Sequence, residues 1–584
     1  MTAELLLDEQ VSVGEAIVRV LEEAAIDLVF GMPGGNMGWS VFNALYDHQD
    51  RIRTVLAREE GLATVMAEVY GRLTGRPGVC SGQAAFLLTN AGMGILEGFL
   101  AASPMLLLTD LSDNAPFSHH APYQTGSADF GGWDARNVIG GYTKQVFVAH
   151  DGPQAVGQTQ QAITHATTGN PGPVALLYHS AALRQRVGPD SVPTIYKRSA
   201  APAPAVAPAD QIEVAVQRLA AAARPVIIAG NGVRAGRAQD ALRQLAELLD
   251  APVATTASGK GVFPETHPLA LGLFGTFGLE AANAVVADAD LVLAVGTRLS
   301  ASDTARENPA LLDPTRQTFI ALDIEPRHLG WTFPVEVALL GDARAIMQQL
   351  SAALGDGRAA GGRGGRERVA QAHRSYDSFT VPESAANDTP ILPQRVIQEL
   401  HAALPDDAIV TCDAGENRLY MQHYFRTKPG MEYLQPAAVG GMGYAIPAAL
   451  AARLVYPQRA AVAVCGDGGF GIALNGLLTA VEESIPIVTV VFNNGALGWV
   501  LHGQGERPIA SAFGPFDHAA IARAMGCEGI RVERASDLQP AFARALAAER
   551  PAVVEVLTSL RETFQKVTSP LAAQPRRASV AGTR

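Results

Sequence analysis

Apolar positions in this chain come in short unbroken runs, and the stretches between them carry apolar residues at helical spacing. Ala460 to Cys465 and Ile485 to Phe492 are the clearest runs, rich in Val; Ile409 to Cys412, Pro225 to Ala229, Leu28 to Phe30, Arg53 to Ala57 and Pro252 to Thr256 are shorter ones. Runs of this kind predict strands of a parallel sheet covered on both faces. Helices are predicted over Gly14 to Ala25, from Glu59-Glu60 through Arg72, over Arg237 to Leu249 and over Leu474 to Glu483. Strand and helix in alternation make β-α-β units, so the fold class expected is α/β, with parallel sheets covered by helices.

Two compositional breaks divide the chain. Residues 199 to 209, a run of Ala and Pro opened by Ser199, cannot build a regular hydrogen-bond ladder and read as a semi-rigid linker. Residues 355 to 368 are rich in Gly and Arg and read as flexible. At 584 residues the chain is too long for one core and suits about three domains. The division expected is a first domain over 1–190, a linker over 191–209, a central Rossmann-like domain over 210–354, a linker over 355–390, a third domain over 391–560 and a tail over 561–584.

Composition removes several classes of function. With 48% hydrophobic and 17% charged residues the chain is globular. Its 45 basic residues stand against 57 acidic ones, a net charge of −12 without a basic block, so nucleic acid is not an expected partner. Cys80, Cys412, Cys465 and Cys527 are scattered and suggest neither a disulfide framework nor a zinc site, which fits a reducing cytoplasm. Met1 to Val11 reads without the marks of a signal peptide, and no apolar segment reaches membrane-spanning length. A soluble cytoplasmic protein with no membrane partner is expected.

Candidate chemistry sits where two strands end. Gly466-Asp467-Gly468-Gly469-Phe470 closes one run and Asn493-Asn494 closes the next. In open α/β sheets ligands collect at the carboxyl ends of strands. A hard divalent cation takes carboxylate, amide and carbonyl oxygens, so Asp467, Asn494 and the backbone carbonyl of Ala496 form a plausible set for Mg²⁺. The glycine amides beside them can approach a diphosphate.

This segment resembles the GDG-(x)n-NN signature of the thiamine diphosphate-dependent enzymes, the family of acetohydroxyacid synthase, pyruvate decarboxylase, benzoylformate decarboxylase and 2-hydroxyacyl-CoA lyase. The resemblance covers nearly the whole chain and is closest to acetolactate synthase large subunit-like proteins. It implies a pyrimidine-binding first domain, a diphosphate-binding third domain, and thiamine diphosphate with Mg²⁺ as cofactors. That cofactor needs a buried acid bonded to its pyrimidine. Glu60-Gly61-Leu62-Ala63-Thr64-Val65-Met66-Ala67-Glu68-Val69-Tyr70-Gly71-Arg72-Leu73-Thr74-Gly75 looks like the family's activating segment and makes Glu60 the acid, with Glu59 a solvated neighbour at the helix start. Gly440-Gly441-Met442-Gly443-Tyr444-Ala445-Ile446-Pro447 resembles the turn whose large apolar side chain wedges between the cofactor's rings, with Met442 in that place. The resemblance also puts Pro33, Gly34, Thr89, Asn90, Asn417, Gly440, Gly466, Gly468, Gly469, Leu497 and Gly498 among the cofactor contacts. Glu416 is expected to point away from a diphosphate, since like charges repel. Glu60 and Asp467 lie on different domains, so the resemblance implies that they meet across two subunits of a homodimer or homotetramer.

The pattern departs from acetohydroxyacid synthases around the substrate. Their SGPGATN turn is replaced by Ala84-Ala85-Phe86-Leu87-Leu88-Thr89-Asn90, a Gln after Phe by Gly131, and a channel Trp by Gly503, while Trp499 takes a Met position. Gly35, Phe86, Gly131, Trp499 and His502 are therefore the expected pocket lining, with Gln504 a further candidate contact. The tandem His119-His120 matches a His pair of pyruvate decarboxylases, and imidazole's pKa suits proton relay there. Gly-x-Gly-x-x-Ala from Gly230 to Ala235 could seat a nucleotide phosphate. No acid ends the next strand, so NAD is not expected. Gly296-Thr297-Arg298-Leu299-Ser300 lacks the FAD-binding pattern, so FAD is not expected either, and the site reads as empty or vestigial with ADP or CoA as the remaining ligands. The tail reads as disordered by default, with basic residues such as Arg561 and Lys566 able to meet CoA phosphates.

The activity expected is decarboxylation of a 2-oxo acid, ligation of the resulting acyl anion to an aldehyde or ketone acceptor, or both. A 2-hydroxyacyl-CoA lyase, a flavin-linked pyruvate oxidase and a non-catalytic homologue are the alternatives.

Overall fold

Three six-stranded parallel sheets, each covered by helices, carry the chain, and the computed structural model describes residues 4–113, 122–198, 203–355, 363–376 and 378–570. In the first, the spatial order is Arg53–Leu56, Leu28–Gly31, Gly78–Ser81, Met105–Asp110, Pro173–Tyr178 and Gln145–Ala149. In the last it is Glu432–Leu434, Ile409–Cys412, Ala461–Gly466, Val488–Asn493, Ala552–Leu557 and Glu528–Val532. Counted along the chain, both orders are 2-1-3-4-6-5. The middle sheet runs 3-2-1-4-5-6, from Ala270–Leu273 through Val253–Thr255, Pro225–Ala229, Leu291–Val295 and Thr318–Asp323 to Val337–Leu340. The expected α/β class is the one found. A two-stranded antiparallel pair, Val11–Ser12 with Arg186–Val187, closes the base of the first unit.

The order 2-1-3 has a consequence for the site. Loops leave strands 1 and 3 in opposite directions, opening a crevice at their carboxyl ends. In the first unit that crevice lies between the segments after Gly31 and Ser81; in the last, between those after Cys412 and Gly466.

The first and last units share one apolar core. The helix Glu60–Thr74 packs on Ala445–Val455, an alanine-rich helix whose small side chains allow close approach, and buried residues from both join a single cluster. A charged network sits inside this junction. Arg72 bonds Glu68 at 2.7 Å and Glu97 at 3.0 Å, Tyr444 Oη donates to Glu68 at 3.0 Å, and Glu97 accepts the Val439 amide at 2.8 Å. All four side chains are buried. Burial and the neighbouring Glu68 push the Glu97 carboxyl up against the opposing pull of Arg72. Removing one member of such a network strands a charge, which costs about 3–5 kcal/mol.

Several sequence expectations are corrected. The crossover helix expected over Leu474 to Glu483 is found as Gly476–Glu482, and a further helix that was not expected, Asp467–Ala473, precedes it, with Asp467 its first residue. The helix expected from Arg237 starts at Gln239, and a separate short helix, Asn231–Ala235, precedes it. The Gly- and Arg-rich stretch expected to be flexible ends inside the helix Gly365–Ser375. Residues 561–570, expected as disordered tail, include a turn of 3-10 helix at Phe564–Val567 with Val567 buried. Arg561 pairs with Asp388 and Lys566 with Glu562, both cations remaining largely exposed. In the middle unit, a Cβ at Gly230 would lie 2.3 Å from the Gly296 carbonyl oxygen, so this glycine turn is accounted for by packing of one strand-end loop on the next. Among the described residues no helix is long and apolar enough to cross a membrane.

Candidate active site

The crevice of the last unit gathers much of the expected diphosphate-side set. Asp467 is buried at the end of its strand, where Oδ1 accepts the Gly468 amide at 2.9 Å and Oδ2 the Gly495 amide at 2.7 Å. Desolvation pushes its carboxyl up, and no side chain among the described residues bonds to it. Gly495 takes a φ of +70°, which turns the chain after Asn494 back toward Asp467. Asn494 Oδ1 accepts the Ala496 amide at 3.1 Å. A buried carboxylate held only by amides, beside an amide side chain and a sharply turned backbone, could hold a hard cation in exchange for its lost hydration.

Met442 stands over this loop. A Cβ on Gly468 would lie 2.8 Å from Met442 Cε, 2.9 Å from Leu497 Cδ2 and 3.4 Å from Phe513 Cζ. Gly468 thus keeps open the floor of an apolar group formed by Met442, Leu497 and Phe513. The Met442 turn has φ of +79° at Gly440 and +85° at Gly443, conformations that favour glycine. It is fastened by Asp413, a residue to which the sequence assigned no role. Asp413 accepts the Gly443 amide on both oxygens, at 2.9 and 3.1 Å, the Ala414 amide at 2.8 Å and the Ala445 amide at 3.4 Å. Full burial pushes its carboxyl up to about 6 against the lowering effect of those amides. Gly469 faces the same carboxylate, with a Cβ position 2.8 Å from Asp413 Oδ2.

Other expected contacts are engaged elsewhere. The Asn417 amide nitrogen donates to the Asp413 carbonyl at 3.0 Å and to the Cys412 thiol at 3.8 Å, so the donor expected for a phosphate already has partners within its own loop. Its oxygen faces Gly466. Glu416 is buried and turns toward His502, whose Nδ1 lies 2.7 Å from Glu416 Oε1. His502 Nε2 lies 3.0 Å from the Leu560 carbonyl oxygen. Both ring nitrogens of His502, expected to line a substrate pocket, therefore have protein partners. Trp499, expected there too, packs edge-on against Phe277 at 5.6 Å and tilted against Phe564 at 5.7 Å. Gln504 is bonded to Ile509 and Ser511. A seven-residue helix, Gly498–Gln504, carries all three, and its Trp499 and His502 face, three residues apart, is covered by the 560–564 segment.

The pyrimidine-side residues lie at the carboxyl ends of the first sheet. Glu60 is the first residue of its helix, and Glu59 caps that helix by accepting the Leu62 amide at 3.1 Å, so Glu59 is occupied as expected for a helix-start carboxylate. Asn90 Nδ2 donates to Glu60 Oε2 at 3.4 Å. Thr89 donates its hydroxyl to the Ala85 carbonyl. Gly34 caps a short helix, Gly35–Trp39, after the Met32-Pro33 turn, and Gly35 has φ of +53° beside Asp110. Phe86 is partly exposed, and Gly131 has φ of +89° with open space around it. His119 and His120 lie outside the described residues.

Within one chain the two halves stand apart. Leu474 and Asn475 keep right-handed helical dihedrals, so Asp467 to Glu482 follows a nearly continuous helical path. Leu62 lies against Gly476, and Arg58 Nε bonds Glu482 Oε2 at 2.9 Å. At 1.5 Å per residue these contacts lie about 13 and about 22 Å along that path from Asp467. The start of the Glu60 helix is therefore anchored toward the far end of the helix pair that Asp467 opens.

Comparison with known proteins identifies the family of the three units. Residues 11–129, 212–350 and 413–556 match, in turn, the N-terminal TPP binding domain, the central domain and the C-terminal TPP binding domain of thiamine pyrophosphate enzymes. A probable acetolactate synthase large subunit of Methanococcus aeolicus is 30% identical over 558 residues, covering 93% of this chain and 91% of that protein. A probable 2-ketoarginine decarboxylase of Pseudomonas aeruginosa is 32% identical over 527 residues, 88% of each chain. A putative thiamine pyrophosphate-containing protein of Bacillus subtilis is 28% identical over 561 residues, 93% of this chain and 91% of that one. With all three domains present and relatives matched along nearly its full length, the chain belongs to the thiamine pyrophosphate enzymes, as a thiamine diphosphate-dependent carboligase or decarboxylase.

Proposed function

We propose that this enzyme uses thiamine diphosphate with Mg²⁺ to decarboxylate a small 2-oxo acid and to pass the acyl unit to a carbonyl acceptor, in a site completed by a second copy of the chain. The observation that carries the reading is the buried Asp467 carboxylate, held only by backbone amides, next to the Gly468, Met442 and Leu497 floor. Relatives named as acetolactate synthases and as a 2-ketoarginine decarboxylase support a 2-oxo acid donor.

Asp467, Asn494 and the Ala496 carbonyl hold the cation in this reading, and the Gly466 to Gly469 amides face the diphosphate. Met442, its turn fixed by Asp413, would pack against the cofactor. When bound, the cofactor supplies a carbon nucleophile and an acceptor for the electron pair released as carbon dioxide leaves. Glu60, oriented by Asn90, shares a proton with the pyrimidine ring at its carboxyl oxygen. The separation of Glu60 from Asp467 along one chain supports pairing with a second copy, as do exposed apolar side chains beside both halves, among them Phe130, Ile472 and Phe516. Gly35, Phe86 and Gly131 then remain as the pocket lining, with His119 and His120 as proton carriers.

Incubating the purified protein with cofactor, Mg²⁺ and a panel of 2-oxo acids, alone and with aldehyde acceptors, tests the reading through carbon dioxide release and ligated product. Glu60→Gln is expected to abolish turnover while leaving circular dichroism and melting unchanged. Wild-type rates in that variant would remove the proposed mechanism.

A further inference from the structure

The segment after the last strand of the third sheet is built into the rest of the molecule. The Ser559 amide donates to the Ile391 carbonyl at 2.9 Å, Gln394 donates to Glu562 at 2.7 Å, and the Ser569 amide donates to Thr276 of the middle unit at 3.1 Å. At its centre the segment makes one contact with Glu416, the first residue of the helix Glu416–Tyr424, and two with the helix that follows Asn494. The Phe564 amide donates to Glu416 Oε1 at 3.0 Å, the Leu560 carbonyl faces His502 Nε2 at 3.0 Å, and the Phe564 ring lies on Trp499. The Glu416 and His502 side chains are 4% and 10% exposed, so the hydrogen bond between them is shielded from solvent.

The other Glu416 oxygen points to the cation loop. A Cβ on Gly498 would meet Glu416 Oε2 at 2.6 Å and Asn494 Nδ2 at 2.9 Å. The carboxylate and the amide of Asn494 converge over the same glycine, and only a glycine leaves them room. The 560–564 segment thus meets Glu416 and His502 directly, and Glu416 and the side chain of Asn494 meet through Gly498, on which both pack.

We infer that Glu416 and His502 are positioning residues that transmit the placement of the 560–564 segment to Asn494, so that this carboxyl-terminal segment sets how tightly the cofactor and its cation are held. The inference rests on the proposed role of Asn494. Partners that orient a metal ligand from behind contribute about 10–100-fold to metal affinity. His502→Phe keeps a ring of similar size against Leu560 and Glu416 and removes both hydrogen bonds. His502→Gln can restore one of them, and Glu416→Gln keeps the shape and an acceptor for the Phe564 amide.

The test is calorimetric titration of thiamine diphosphate at saturating Mg²⁺, and of Mg²⁺ at saturating cofactor, on wild type and the three variants, with apoprotein melting measured in parallel. The expected result is a dissociation constant raised about tenfold or more in His502→Phe, less in His502→Gln and Glu416→Gln, with saturating cofactor recovering most of the turnover. Unchanged affinities in all three variants would overturn the inference, as would a fall in melting temperature with affinity intact, since that marks packing alone. If the wild type itself binds neither cofactor nor Mg²⁺, the functional reading fails instead, and the two failures are distinct.

Discussion

Asp413→Asn tests how a buried carboxylate fixes the Met442 turn. The carboxyl stands at about 6 in the folded protein against 3.8 for an ordinary aspartate. A raised folded value means that the native state binds the proton more tightly than the unfolded chain, so stability falls as pH rises through the window from 3.8 to about 6. The shift of about 2 pH units is worth about 3 kcal/mol over the full window, and about 2 kcal/mol of that falls between pH 4.5 and 7. Asparagine cannot titrate, and its NH₂ would face the Ala445 or Gly443 amide where Asp413 offers an oxygen. The variant is therefore less stable at every pH, by about 1–3 kcal/mol for an unsatisfied amide. The informative quantity is the wild-type advantage in melting temperature, measured without cofactor from pH 4.5 to 7. It should shrink as pH rises, by about 4–8 °C for a cooperative unit of about 200 residues. A constant gap across that range would refute the assignment of the raised carboxyl to Asp413.

Three further outcomes are expected. Gly498→Ala places a methyl group 2.6 Å from Glu416 Oε2 and 2.9 Å from Asn494 Nδ2, so cofactor affinity by titration should fall and the fold should lose about 1–3 kcal/mol; wild-type affinity would contradict the packing described. Tyr444→Phe leaves Glu68 Oε2 without its hydroxyl donor and should cost about 1.5–3 kcal/mol in denaturant unfolding, and an unchanged midpoint would show that the network tolerates the gap. Asp467→Ala should abolish calorimetric Mg²⁺ binding in the presence of cofactor, and retained binding would move the cation elsewhere.

Strand-end chemistry was legible in the sequence because it is local. Asp467 and Asn494 directly follow their strands and Glu60 comes four residues after its own, and a run read as a strand places the residues just beyond it at the sheet's carboxyl edge without knowledge of the rest of the fold. The partners of Trp499 and His502 were not legible, for the opposite reason. Which side of a seven-residue helix turns inward is decided by a segment some sixty residues later, and nothing between 498 and 504 encodes that partner. Asp413 shows the same limit: its acceptors serve Gly443 and Ala445, thirty residues on, and only the sheet order brings the two loops together. The interior charges Glu68, Arg72 and Glu97 lie in helices whose pattern already reads as buried, so their pairing was not visible as a departure from polar expectation. The break at Leu474-Asn475 left no periodicity signal, because both residues retain helical dihedrals.

The helical path that opens at Asp467 and ends where Arg58 grips Glu482 acts as a spacer, and a spacer makes the proposed enzyme testable by mixing. Chains carrying Glu60→Gln and chains carrying Asp467→Ala would each be inactive alone. Assembled together, hybrid pairs would contain one site in which both lesions coincide and one in which neither occurs. Random pairing then returns about a quarter of wild-type activity from two dead preparations. For the same reason, a damaged chain in a mixed population would silence sites on its healthy partners and not only its own.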